Sequence, residues 1–213
     1  MAPLSISDIP TLTDLYTNGP LAPSSEPLPN ASSAFNSQIS LVRTDITTLA
    51  TTAIVNAANT SLLGGGGVDG AIHRAAGPGL LRECRTLHGC DTGSAKMTGA
   101  YNLPCEKVIH AVGPVYHSDR KERCRRLLAG CYTASLDLLV EGAGGGSIAF
   151  SALSTGVYGY PSRDAAQVAI GAVKEWLEAD EERARKVERV VFCSFLEKDE
   201  RAYGEWIPYV LCG

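Results

Sequence analysis

Residues 54–78 read IVNAANTSLLGGGGVDGAIHRAAGP, and the rest of the chain is best read outward from them. Ile54 and Val55 form a short apolar run of the kind that makes a buried strand. Asn56 and Asn59 then place two side-chain amides at the strand end and just past it. The glycines Gly64 to Gly67 follow, and the stretch from Val68 to Ala76 has Ile72, Ala75 and Ala76 at helical spacing from Val68. Without Cβ atoms such a loop brings its backbone close to a ligand, its N–H groups can line an anion-binding concavity, and the helix start adds unpaired donors and the positive end of its dipole. Strand, glycine loop and helix start together predict a phosphate site.

The loop is neither of the two common phosphate fingerprints. No Gly-Lys-Ser/Thr follows, so it is not a Walker loop. No acidic residue ends a second strand about 20 residues on, as a dinucleotide fingerprint requires. A second segment repeats the arrangement: Ser147 to Phe150 reads as a strand, Ser151 to Tyr160 (SALSTGVYGY) as a loop with glycines and hydroxyls, and Pro161 to Glu178 as a helix. Two amide-lined loops at the carboxyl ends of neighbouring strands would face one another across a cleft, and would suit a diphosphate better than one phosphate. Tyr158 and Tyr160 are candidate aromatic walls of that cleft; for Tyr160 a place in the core is an equal alternative.

The chain has 213 residues, 45% of them hydrophobic, enough for one domain with a real core, and a net charge of −4. An acidic balance without an Arg/Lys stripe speaks against a nucleic-acid binder and requires a phosphate ligand to be held by amides. The seven cysteines, 84, 90, 105, 124, 131, 193 and 212, include no CxxC pair and read as reduced, mostly buried thiols. MAPLSISDIP has neither a charged n-region nor an apolar core, so no signal peptide is expected. No 18-residue apolar run occurs, so no membrane association is expected; the sequons at Asn30 and Asn59 read as chance, and the expected compartment is the cytoplasm or the nucleus.

Residues 1–38 read as a Pro/Ser-rich extension with a short helix from Ser7 to Tyr16 and an irregular wrap from Gly19 to Ser37; residues 39–213 read as the domain. Within it, strands are expected over 38–43, 98–103, 107–112, 147–150 and 189–195, and helices over 78–88, 121–140, 161–178 and 198–209. Strands alternating with helices predict an α/β sheet covered on both faces. Asp45 reads as the cap of a short turn.

Asp69 is the ionisable group nearest the first loop. A carboxylate beside phosphate is unfavourable unless it caps the helix or handles a proton, and both alternatives stand. His73 lies one turn further on, on the same face, where it could orient that carboxylate. Cys84, His88 and Cys90 offer metal-ligating atoms but lack a fourth ligand among leucines, and Ser154 sits in no G-x-S-x-G elbow, which excludes the common serine hydrolase pattern. No metal site is expected.

These residues resemble the macrodomains of the MacroD type, a family of ADP-ribose-binding and mono-ADP-ribosyl-hydrolysing modules. The resemblance runs through Asp45-Ile46, Val55 to Asn59, Leu63 to Pro78, Glu83-Cys84, Gly89-Cys90, Thr92-Gly93, Ala95-Lys96, Val108 to His110, Val112 to Pro114, Ser154 to Pro161 and Phe195 to Glu197. It implies a three-layer α/β/α fold around a six-stranded mixed sheet. It implies that Asp45 bonds the adenine amino group, with Ile46 beside the base and Phe195 against it, and that Asn59 holds the distal ribose. The amides of Gly65, Gly66, Gly67 and Val68, and of Ser154, Thr155, Gly156, Val157 and Tyr158, would hold the diphosphate. Tyr158 would orient the distal ribose, Asp69 would be the catalytic carboxylate, and His73 would support it. The family pattern has glycine where this chain has Thr44, and the metal-dependent relatives carry Cys and His inserted in the first loop, which this chain lacks. The implied activity is removal of mono-ADP-ribose from acidic side chains, with deacetylation of O-acetyl-ADP-ribose, by a monomer needing no cofactor; the rival is a reader that binds ADP-ribose without turnover.

Overall fold

The computed structural model describes residues 2–212. Its strands are β1 (Leu4–Ser5), β2 (Ile39–Arg43), β3 (Leu49–Ala50), β4 (Ala53–Ala57), β5 (Ala95–Gly99), β6 (Lys107–Ala111), β7 (Gly146–Phe150) and β8 (Val187–Ser194). Its helices are α1 (Leu12–Asn18), α2 (Gly67–Ala76), α3 (Pro78–Thr86), α4 (Lys121–Gly142), α5 (Ser162–Ala179), the single turn α6 (Glu181–Ala184) and α7 (Glu197–Val210). Six strands form one sheet in the order β2-β8-β7-β4-β6-β5. All neighbours run parallel except β5, which lies antiparallel to β6 at one edge. This is the expected three-layer α/β/α fold with a mixed sheet.

Residues alternate between two cores because successive strand side chains point to opposite faces. Val55, Ile109, Phe150 and Phe192 face the core built by α1, α4, α5 and α7. Ile54, Val108, Ala149 and Val191 face the other, under α2 and α3. Strands buried on both faces are near-continuous apolar runs, so two polar residues stand out. Asn56 in β4 and His110 in β6 are fully buried and are direct cross-strand partners, on the α2/α3 side.

The glycine loop follows β4, and the second loop follows β7. These strands are neighbours, and from β4 the chain goes first to one side (β5 and β6) and then to the other (β7 and β8). That reversal is where open α/β sheets bind ligands, and it brings the two loops face to face as expected. Several sequence expectations shift. The strand expected over 98–103 is β5, three residues earlier, because Tyr101 adopts a left-handed conformation (φ 57°) that ends the ladder. The early helix begins at Leu12, capped by Thr11, which accepts from the Asp14 amide. The wrap over 19–37 is irregular as expected and is tied to the end of α7, Leu28 N–H donating to Tyr209 O and Asn36 Nδ2 to Cys212 O. Leu12 is fully buried in the main core. Six of the seven cysteines are buried and all are free thiols. No helix among the described residues is long and apolar enough to cross a membrane.

Candidate active site

Along the carboxyl ends of β2, β8, β7 and β4 lie four groups of residues in that order. Asp45 and Ile46 follow β2. Phe195 follows β8, the second loop follows β7, and Asn59 with the glycine loop follows β4. Three strand spacings separate the ends of this row, about 14 Å.

At one end, Thr44 N–H donates to Ser194 O at 3.0 Å, which sets Asp45 beside Phe195. Thr44 has no positive φ, so the turn needs no glycine there. Asp45 Oδ1 accepts from the amide and hydroxyl of Thr47 at 2.9 and 2.8 Å, fixing the carboxylate at the exposed head of a short 3-10 turn. Ile46 is buried, whereas Phe195 is 72% exposed, a large apolar ring in solvent at a strand tip.

In the middle, Gly64 (φ 85°) and Gly67 (φ 59°) hold the left-handed conformations that swing the first loop from Asn59 into α2. Gly65, Gly66 and Gly67 are exposed and Val68 half-buried. Across the cleft Ser154 (φ 65°) and Thr155 are buried, Gly156 and Val157 exposed, and Tyr158 half-buried. Among the described residues, no protein acceptor meets the amides of Gly65 to Val68 or of Ser154 to Tyr158. The second loop is clamped from outside. Tyr116 N–H donates to Tyr158 O at 2.8 Å and Lys198 Nζ to Thr155 O at 2.9 Å. Ser154 sits directly over Gly113, where any Cβ would overlap its Oγ. Tyr160 turns inward against Tyr116, ring centroids 4.8 Å apart, so it is core and only Tyr158 remains as an aromatic wall.

At the far end, Asn59 Nδ2 donates to Gly64 O at 2.9 Å, while its Oδ1 accepts from Ser61 N–H and Oγ. Asp69 does not cap α2: the N-cap is Gly66, without a side-chain bond. Asp69 turns into the protein instead. Its Oδ1 accepts from Asn56 Nδ2 at 2.7 Å and lies 3.4 Å from His73 Nε2. Its Oδ2 points to the loop, where a Cβ on Gly65 would come within 3.1 Å of it and 3.4 Å of Asn59 Nδ2. Burial pushes the Asp69 carboxyl up, against the downward pull of the Asn56 bond and of His73.

Behind Asp69 lies a group that the sequence did not single out. His110 Nδ1 is 3.2 Å from Asn56 Nδ2, and its Nε2 is 3.0 Å from Thr98 Oγ1 and 3.6 Å from Cys84 Sγ. An amide nitrogen can only donate, so His110 Nδ1 accepts, and the network assigns the neutral Nε2–H tautomer. Burial pushes this imidazole down to about 3 and the Cys84 thiol up to about 11. His73, Cys84 and His110 place their donor atoms within 4.8 Å of one another, the grouping nearest to a metal site among the described residues. Cys84 thus gathers with the two histidines, and Cys90 turns its thiol to Asp91 O. Both His110 nitrogens are already engaged within the protein.

The sequence profile of the family described as Macro domain matches residues 55–169. The chain is 55% identical over 168 residues to "Macro domain-containing protein CT2219" of Chlorobaculum tepidum, covering 79% of this chain and 94% of that one. It is 53% identical over 184 residues to "ADP-ribose glycohydrolase MACROD1" of Bos taurus, covering 86% of this chain; it spans 55% of that relative's length. A crystal structure of the Trypanosoma brucei macrodomain in complex with ADP-ribose superposes with a TM-score of 0.80 at 37% identity, over 97% of this chain and 78% of that one. With this profile spanning the first loop, the second loop and the strands between them, the chain belongs to the macro domain family.

Proposed function

We propose that this chain binds ADP-ribose along the strand tips and hydrolyses the ester that links mono-ADP-ribose to acidic side chains of proteins. The observation that carries the reading is Asp69: a buried carboxylate, raised by burial, whose Oδ2 faces the cleft beside Gly65 and Asn59. A module that only held the ligand would gain nothing from a desolvated negative charge next to a diphosphate. In support, the bovine relative is named a glycohydrolase of ADP-ribose and the trypanosomal one is described with ADP-ribose bound.

In this reading the adenine lies between Asp45 and Phe195, the diphosphate takes the unpartnered amides of both loops, and the distal ribose reaches Asn59. That row spans about 14 Å, the scale of an extended dinucleotide-like ligand. Tyr158 presses on the distal ribose. The anomeric carbon and its ester then sit over Asp69 Oδ2. A water between Oδ2 and a phosphate oxygen gives one proton to the carboxylate as its oxygen bonds to the carbonyl carbon of the ester; the bond from that carbon to the ribose oxygen breaks, the ribose oxygen takes the proton from Asp69, and ADP-ribose and the free protein carboxylic acid leave. Positioning supplies up to ~7–11 kcal/mol in ideal cases and general-base assistance a further ~10²–10⁴-fold. The same geometry accepts the acetyl ester of O-acetyl-ADP-ribose, and the scheme needs no cofactor.

The test is release of ADP-ribose from a protein modified on glutamate, with native protein and Asp69→Ala. Release by the native form, with a loss of 100-fold or more in Asp69→Ala at retained ADP-ribose affinity, supports the reading. Tight binding without release by the native form overturns it in favour of a reader.

A further inference from the structure

Two polar side chains break the apolar runs of the two central strands β4 and β6, and they are cross-strand partners. Asn56 Nδ2 gives one hydrogen to Asp69 Oδ1 at 2.7 Å and the other to His110 Nδ1 at 3.2 Å. The His110 N–H then passes to Thr98 Oγ1 in β5 at 3.0 Å, and Thr98 Oγ1 donates to Gly99 O at 3.0 Å. Every donor in this row points away from Asp69 except the one that ends on it. Among the described residues Asn56 Oδ1, buried, meets no partner. A purely structural site would place Val or Ile here and leave no oxygen unpaired. Nor can the amide turn over without setting its oxygen against the carboxylate.

We infer that Asn56 is a positioning residue for the reaction: its amide, held in turn by His110, keeps Asp69 Oδ1 bound behind the site so that Oδ2 faces the cleft. The catalytic part of this inference rests on the hydrolase reading above. The groups that face Asp69 are His73 from its own helix, His110 from β6, Cys84 from α3 and Asn56 from β4. Of these, Asn56 is the one that makes a hydrogen bond to the carboxylate. Removing it withdraws a bond that favours the charged carboxylate and leaves burial to raise it further.

The decisive variant is Asn56→Asp, which keeps the outline of the side chain and replaces the donor by a second carboxyl. Two carboxyls at hydrogen-bond distance share one proton, so the acid limb of kcat against pH moves up by one pH unit or more. At pH 7 kcat falls 30-fold or more, and the Kd for ADP-ribose stays within three-fold of native. Asn56→Leu, with the same branching and without a donor, loses kcat with the same retention of affinity. An unshifted pH limb with kcat within three-fold overturns the inference, as does a loss confined to KM. A measurement on the native fold covers the case in which both variants unfold. The Asn56 side-chain amide resonances must follow the Asp69 carboxyl titration and move in Asp69→Ala; amide resonances indifferent to both overturn the tether. A native protein that releases no ADP-ribose counts against the hydrolase reading alone, and the amide measurement then decides for or against the tether.

Discussion

Gly65→Ala adds one methyl at the point where Asp69 and Asn59 approach each other. Gly65 has no positive φ, so alanine fits its backbone without strain. Its Cβ would stand 3.1 Å from Asp69 Oδ2 and 3.4 Å from Asn59 Nδ2. Contact of carbon with oxygen is comfortable nearer ~3.5 Å, so Asp69 must retreat by a few tenths of an ångström, and the methyl takes the space that a water needs in front of Oδ2. A misplacement of ~1 Å costs up to ~10²-fold, or ~2.7 kcal/mol in the barrier at ~1.4 kcal/mol per tenfold, and here the smaller shift of Asp69 is joined by loss of the water's place. The ~0.4–1 kcal/mol that alanine brings by restricting the unfolded chain is offset by this contact. Gly66→Ala is the matched control: it lies in the same loop, and its Cβ meets no protein atom within 4 Å. The assay is single-turnover release of ADP-ribose, with calorimetric titration of ADP-ribose alongside. Gly65→Ala is expected to lose ~100-fold in rate with affinity within tenfold, while Gly66→Ala holds Oδ2 in place and changes affinity more than rate. A rate for Gly65→Ala within three-fold of native would refute the placing of the reacting water at Oδ2.

Further outcomes follow from features away from Asp69. Gly113→Ala drives a Cβ into Ser154 Oγ, so the second loop must move; ADP-ribose affinity is expected to fall at least tenfold in a titration, with a cost of ~1–3 kcal/mol in urea unfolding. Phe195→Ala removes a ring that is 72% exposed; stability stays within ~0.5 kcal/mol while ADP-ribose binding loses ~1–3 kcal/mol of stacking. Burial holds His110 at about 3 against 6.5 in the unfolded chain. Its stabilising effect is therefore complete above pH 6.5 and is lost as pH falls toward 3, at up to ~1.4 kcal/mol per pH unit. Asp69, shifted upward, acts with the opposite sign between 3.8 and its raised value. Urea unfolding between pH 7 and 4 should show the loss, and His110→Gln should flatten it. Leu12→Ala opens a cavity beneath the sheet and costs ~2–5 kcal/mol in the same measurement, although Leu12 lies outside the residues that resemble the family.

The sequence made the two loops legible because glycine runs after apolar strands and before helices have few other physical uses. It made Asp69 legible as a charge in an unsuitable place. Of the two roles it left open, capping is removed by the structure, in which Gly66 is the N-cap and Asp69 accepts instead from Asn56, thirteen residues earlier in the chain; proton handling is the role proposed above. Asn56 itself was visible as a strand-end amide, but His110 was not, since a histidine within VIHAV reads as core. Its role depends on a register between β4 and β6 that no local pattern encodes. The β1–β3 pair is two residues long on each side, too short to leave a periodicity. The edge strand β5 was placed three residues late because, Thr98 apart, its residues Ala95 to Gly99 are only half-buried, with Lys96 among them. Tyr160 was undecidable from spacing, and its contact with Tyr116 made it core.

The sheet order also governs how the molecule comes into being on the ribosome. The strand β2, Ile39–Arg43, touches the sheet through β8 alone, and β8 is Val187–Ser194. When the first forty residues leave the exit tunnel, their partner is about 150 residues from leaving it in turn, and at ~5–20 residues per second that is a wait of roughly 8–30 s. The half of the cleft built on β4 and β7 can assemble during that time. Asp45 and Phe195, which bracket the other end, come together only once β8 has emerged, so a nascent chain acquires the two-loop end of the cleft first and the Asp45/Phe195 end last. A chain cut short before Val187 would carry both amide-lined loops and still lack one wall of its site.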